Sequence, residues 1–234
     1  MSGHSRWSQI KHKKALADAK KGAIFGKLAR AISVAARGNP DPATNLRLKA
    51  EIDRAHAFNM PGENITRAIS RVSDADAVAL SEIQLELIGP GGAAILVLAI
   101  TDNSNRTVNE LRQLALKHDA HMASQGSLLW MFRRAGVIRL SPDAGEDAQF
   151  AAIDAGADDV RDEDGGIIVT TKPEHLERVR SALGSAVVAS GIEFIPTTQV
   201  PVNDPSVQRK LEALLDALDG HEDVQEVFTN ADSA

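Results

Sequence analysis

Between residues 128 and 203 the apolar pattern runs strand, helix, strand, strand, helix, strand, an order that closes on itself as a folding unit, while the pieces on either side are incomplete. The strands are "LLWMFRRAGVIRL", "ADDVRDE", "GIIVTT" and "IEFIPTTQVPV", with helices over 146–155 and 173–190. The two middle strands meet at Asp164-Gly165, a pair suited to a tight hairpin turn. Upstream, "IQLELIGPGGAAILVLAIT" is two apolar runs joined by "GPGG", where proline presets one turn position and glycine supplies positive φ at the next. "SNRTVNELRQLALKH" then reads as an amphipathic helix capped by Ser104 or Asn105, with Val108, Leu111, Leu114 and Ala115 inward. Downstream there is one helix over 205–218 and one strand, "DVQEVFT". Neither flank buries its own apolar face. The pattern therefore predicts a discontinuous middle domain, 79–127 with 204–234, into which a ferredoxin-like domain, 128–203, is inserted.

The amino-terminal part is helical. Ile24, Phe25, Leu28 and Ile32 recur at helical spacing until Gly38 and "NPDP" stop them. A second helix over 43–58 places Leu48, Ile52 and Ala55 on one face. Pro61 suits the first turn of a third helix striped by Ile65, Ile69 and Val72. The expected fold class is multi-domain α+β, with a three-helix domain over 23–78 and two ferredoxin-like α/β domains, one inserted into the other. Residues 1–22 carry only Trp7, Ile10 and Leu16 as large apolar groups, too few to offset the entropy of ordering, so they are expected to form a mobile basic arm.

Charge divides the same way. Net charge is -6, yet residues 1–71 hold fourteen Lys or Arg against five acids, and the remainder twelve against twenty-seven. A basic end on an acidic chain points to a strongly anionic partner, most often nucleic acid, engaged by that end alone. The candidate contacts are His4, Arg6, Trp7, Lys11, His12, Lys13, Lys14, Lys20, Lys21, Lys27, Arg30, Arg67 and Arg71. The lysines of the arm suit phosphates, which position a protein without conveying sequence. Trp7 either stacks on an exposed base or packs on the first helix. Arg47, Lys49, Arg54, Arg67 and Arg71 either extend the patch onto the second and third helices or form a solvated face.

Chemistry beyond binding finds no support. Cysteine is absent, "GPGGAA" lacks the lysine and hydroxyl of a phosphate-cradling loop, and no three-glycine dinucleotide fingerprint opens a helix. His118 and His121 are spaced as metal ligands can be, but a helix carboxyl end accounts for them. The acidic run 141–166 puts Val160 where a calcium loop needs a ligand, and reads as solvated surface that a phosphate backbone would avoid. The expectation is no catalytic activity, no cofactor and no metal. Without an apolar run of membrane-spanning length or a secretory signal, the expected address is cytoplasmic, a transit peptide being the lesser option.

"GHSRWSQIKHKKALADAKKGAIFGKL" resembles the amino-terminal signature of the YebC/PmpR family, to which the mitochondrial translational activator of cytochrome oxidase also belongs. The likeness continues through "NMPGENITRAI", "GPGGAAILV", "TDNSNRTVNELR", "GSLLWMFRRAGVI", "GADDV" and "FIPTTQV" to "DALDGHEDVQEVFTN". Three departures stand out: Ala31 where an acid is usual, no aromatic within 85–88, and Asp119-Ala120 for a usual glycine pair. The resemblance implies three domains, a basic helical end used on nucleic acid, and no catalytic activity. It carries two roles, a DNA-binding transcriptional regulator and an RNA- or ribosome-associated translation factor. A flexible basic arm suits RNA, and no recognition helix stands in a helix-turn-helix frame. A third reading is a scaffold whose acidic α/β domains bind proteins. Asn103, Asn105 and Arg106 cap and flank a helix, any binding role for them resting on the resemblance.

Overall fold

The computed structural model describes residues 21–71, 79–163 and 166–232. The expected basic arm up to Lys20 and the Asp164-Gly165 turn lie outside them. Two compact units result, one of Phe132–Ile195 and one of residues 21–131 with 196–232.

Helix α1 is Lys21–Ala35, α2 is Leu46–Ala57 and α3 is Gly62–Ser70. Leu28, Ile32 and Ala35, at helical spacing on α1, meet Leu48, Ala55, Met60, Ile65 and Ala68 in one core. Helix α2 starts three residues later than its apolar pattern suggests because Asn45 is its cap. The Asn45 side chain accepts from Leu48 N–H at 3.0 Å and donates to the carbonyls of Ala35 and Asn39, both at 2.7 Å, so one residue closes α1 and opens α2. Ser33 donates to the Ala68 carbonyl at 2.7 Å and ties α1 to α3. Pro61 stands at the cap of α3, one residue ahead of its first turn.

In the same unit, β1 (Ser81–Ile88) and β2 (Ala94–Thr101) form an antiparallel hairpin with Ser81 opposite Thr101. Gly91 and Gly92, at φ 74° and 76°, make its turn. Helix α4 (Ser104–Lys117), β3 (His121–Met122), β8 (Val200–Pro201), α7 (Pro205–Gly220), β9 (Val224–Thr229) and β10 (Ala231–Asp232) complete the unit. The main sheet runs β3-β1-β2-β9, so a strand from the end of the chain borders a hairpin more than a hundred residues earlier. Leu111 and Ala115 of α4, and Leu211, Leu214, Leu215 and Leu218 of α7, cover one face over Leu87, Ile95, Val97, Val224 and Val227. Each fully buried leucine there contributes about 1.5–3 kcal/mol. Ala31 and Val34 of α1 pack on Ile100 from the opposite face. Buried on both sides, β2 is a continuous apolar run.

The second unit contains β4 (Phe132–Leu140), α5 (Gly145–Asp154), β5 (Asp159–Glu163), β6 (Gly166–Thr171), α6 (Leu176–Leu183) and β7 (Val187–Pro196), with sheet order β5-β6-β4-β7. Strands β5 and β6, and β6 and β4, pair antiparallel. Ile138, Leu140, Ile167 and Val169 pack under Ala152, Leu176, Val179 and Leu183.

Three further departures from the sequence pattern have local causes. Strand β4 begins at Phe132 because 129–131 is a helical turn, which leaves Trp130 65% exposed. Helix α6 stops at Leu183, where Gly184 at φ 52° turns the chain and frees Val187 to start a strand. "IEFIPTTQVPV" is two strands, since β7 ends at Pro196 and Val200 pairs instead with Ala231.

Candidate nucleic-acid interface

The cations of the helical domain divide into two groups. Four hold the domain against the β1-β2-β9 sheet and its α7–β9 corner. The Lys27 ammonium donates to the Asp219 carbonyl at 2.5 Å. Arg30 pairs with Asp223 at 3.1 Å and donates to the Glu222 carbonyl at 2.7 Å. Arg47 pairs with Glu82 of β1, and Arg54 with Glu226 of β9 at 2.5 Å. The other four, Arg37, Lys49, Arg67 and Arg71, are exposed and make no ion pair among the described residues. Arg67 and Arg71 lie one turn apart at the end of α3. Lys21 is the first residue of α1; His4, Arg6, Trp7, Lys11, His12, Lys13, Lys14 and Lys20 lie outside the described residues.

Asp223 is the centre of the holding group. Its side chain is 0% exposed, against 21% for that of Arg30. Arg106 of α4 reaches it at 2.9 Å and Thr107 donates to it at 2.7 Å. The Thr101 hydroxyl is 2.8 Å from that of Thr107 and accepts from Asn103 N–H at 2.9 Å. Since Thr107 has one proton and gives it to the carboxylate, Thr101 donates to Thr107, and a relay runs from the α4 cap to Asp223. Burial pushes the Asp223 carboxyl upward, but the hydrogen bonds from Thr107 and Arg106 and the charges of Arg30 and Arg106 outweigh it, leaving the group below the usual aspartate range.

Sequence reasoning missed this node. It placed Arg30 and Lys27 among phosphate contacts and Arg106 beside a helix cap; only the long-range return of β9 brings an acid to them. The cap itself is Asn103, which accepts from Arg106 N–H at 3.1 Å, rather than Ser104 or Asn105. Glu110, His221 and Asp223 bring three ligand atoms within 4.8 Å of one another. Two guanidiniums and a hydroxyl already surround the Asp223 oxygens, so a metal ion there would have to displace both arginines. His221 Nδ1 accepts from Asp223 N–H at 3.2 Å, which puts its proton on Nε2, 3.1 Å from Glu110. His118 closes α4, and His121 pairs with Ile88 in β3.

A second acid at this boundary behaves oppositely. Glu51 of α2 lies among Arg47, Arg54, Glu82 and Glu226, and one of its oxygens is buried without a hydrogen bond. Burial raises its carboxyl above the usual range, with Arg54 opposing and Glu226 reinforcing the shift. Farther along, Glu86 of β1 is buried and accepts from Gly126 N–H at 2.5 Å and Leu128 N–H at 2.6 Å. It fixes the loop that presents Trp130, whose indole N–H donates to the Ser127 carbonyl at 2.8 Å. That exposed ring is a further candidate contact, which the apolar run around it disguised as a strand residue.

A family model described as the TACO1/YebC protein N-terminal domain matches residues 5–75, and one described as the TACO1/YebC second and third domain matches residues 80–231. The chain belongs to the TACO1/YebC family. A protein of Moorella thermoacetica named "Probable transcriptional regulatory protein" is 44% identical over 99% of this chain and 96% of its own length. One of the same name from Thermotoga maritima is 45% identical over 98% and 93%. The crystal structure of the conserved hypothetical protein Aq1575 from Aquifex aeolicus matches with a TM-score of 0.91 and 38% identity, covering 98% of each chain. This TACO1/YebC chain is thus an α+β protein with a three-helix amino-terminal domain and two antiparallel α/β sheets. Among the described residues no helix is long and apolar enough to cross a membrane.

Two departures from the family signature acquire physical meaning. Ala31 is buried against Ile100, where an acid would have no water. Asp119 sits at φ 57°, a conformation that a glycine adopts without strain.

Proposed function

We propose that this chain is a non-enzymatic nucleic-acid-binding regulator of gene expression acting in the cytoplasm, a DNA-binding transcriptional regulator of the YebC/PmpR type. The observation that supports the reading is the group of exposed cations on the helical domain, Arg37, Lys49, Arg67 and Arg71, which make no ion pair among the described residues. They continue the charge of residues 1–20, which hold five Lys or Arg against Asp18 alone. The names of the relatives favour DNA. In this reading the arm and α3 grip phosphates, with Lys11, Lys13, Lys14 and Lys20 as the principal contacts. The two α/β domains, read as ferredoxin-like with 128–203 inserted into the other, form a platform that the phosphate backbone avoids.

A second reading, an RNA- or ribosome-associated translation factor, is favoured by Trp130. A fixed, exposed indole suits stacking on an unpaired base, worth about 1–3 kcal/mol. Fluorescence anisotropy with labelled duplex DNA and single-stranded RNA, at about 50 and about 200 mM salt, tests both. Binding that weakens steeply with salt supports the common claim. A Trp130→Ala loss confined to RNA selects the second reading; duplex preference with no effect of Trp130→Ala selects the first.

A further inference from the structure

Helix α5 carries an outward stripe that the core of its unit does not use. Ala148, Ala151 and Ala152 pack toward the sheet, so the helical period turns Glu146, Asp147, Phe150, Ile153 and Asp154 outward, and all five are exposed. Phe150 is 62% and Ile153 56% exposed. A helix face shaped for water alone would carry polar side chains here. Instead its two largest outward side chains are apolar, one turn apart, and edged by carboxylates. Residues 141–160 contain no Lys, Arg or His, and Asp143 and Asp158 are exposed as well. Asp154 is the last residue of α5, where the aligned peptide dipoles disfavour an anion, and the last turn holds no cation to relieve it. Of the cations on neighbouring elements, Arg178 donates to the Ala155 carbonyl at 2.9 Å and Arg161 pairs with Asp159 at 2.5 Å.

The charge decides among occupants. Nucleic acid, an anionic membrane and a second copy of this same face are all repelled by the carboxylates. We propose that the α5 face is the docking surface for a segment of another protein that is rich in Lys or Arg and carries a bulky apolar side chain. The apolar side chain covers Phe150 and Ile153 and supplies most of the affinity; the cations meet Glu146, Asp147 and Asp154 and set encounter rate and choice of partner. The surface uses none of the cations assigned to nucleic acid, so the proposal stands or falls apart from that reading.

The test installs the photoreactive residue p-benzoylphenylalanine at Phe150 in the full-length chain in cells and maps the crosslinked peptide by mass spectrometry. That peptide is then synthesised with a fluorescent label and titrated with the purified chain. The expected result is a crosslink to a net-positive segment containing a large apolar residue. Its affinity falls roughly tenfold or more for Phe150→Ala with Ile153→Ala, a pair that leaves the charge unchanged. Because both side chains are exposed, that variant keeps its circular dichroism and thermal midpoint. Crosslinks to acidic or neutral segments, to nucleic acid, or to residues 1–20 of this same chain would overturn the proposal, as would unchanged affinity in the double variant.

Discussion

Arg30 and Arg67 carry the same charge on helices of the same small domain, and the fold uses them oppositely. Arg30 reaches a fully buried carboxylate on the far end of the chain. Arg67 faces water and makes no ion pair among the described residues. The positive charge of the helical domain therefore has two parts. One part, Lys27, Arg30, Arg47 and Arg54, joins the domain to the sheet. The other, Arg37, Lys49, Arg67 and Arg71, is exposed and makes no ion pair among the described residues. Net charge by itself does not separate the two; the position of the opposing acids does.

The largest expected effect comes from breaking the holding group at its centre. Asp223→Ala leaves Arg30, Arg106 and Thr107 facing a buried void, and chemical denaturation is expected to show a loss of about 3 kcal/mol or more. The acid dependence follows in sign. Folding depresses the Asp223 carboxyl below its unfolded value of about 3.9, so its stabilisation is complete above that pH and is lost as pH falls from there through the folded value. The Asp223→Ala chain is expected to lack this component of acid destabilisation.

Next in size is the external group. Arg67→Glu with Arg71→Glu is expected to lower nucleic-acid affinity about tenfold and to make the salt dependence shallower by about two phosphate contacts, with the thermal midpoint unchanged. Arg30→Glu is expected to do the reverse, lowering stability first. If both variants lose stability and binding equally, the division between the groups is wrong.

A smaller effect sharpens the boundary between them. Folding raises the Glu51 carboxyl, so the native chain is penalised as pH rises from the unfolded value through the folded one, and the penalty is full above it. Glu51→Gln is expected to gain about 1 kcal/mol at neutral pH and nothing in acid, read as thermal midpoints across pH. Smallest is Asp119→Gly, away from both groups of cations. Relief of the left-handed backbone outweighs the loss of the exposed Lys210 pair, and the midpoint is expected to rise by about 2 °C.

Hydrophobic periodicity made the element order legible. The α1 stripe at Leu28 and Ile32, the "GPGG" hairpin turn and the incomplete flanks around 128–203 each follow from local rules. Boundaries failed where a tertiary contact or a special φ intervened: Asn45 bridging two helices, Glu86 bending the chain ahead of Phe132, Gly184 at positive φ ending α6. The candidate interface was legible as a charge excess but not as a surface. Asp223 lies nearly two hundred residues from Arg30, and no pattern within α1 distinguishes a cation that meets it from one that meets water. Trp130 was hidden because it stands in an apolar run that reads as a strand, with buried Leu128 and Phe132 two residues to either side.

The most direct test is the affinity of the full-length chain for labelled DNA and RNA, followed by anisotropy across a series of salt concentrations. The account predicts tight binding in dilute buffer that weakens linearly in logarithmic terms as salt rises, with a shallower line for Arg67→Glu with Arg71→Glu and an unchanged one for Phe150→Ala. No measurable binding to either nucleic acid at about 50 mM salt, or binding indifferent to salt, would contradict it.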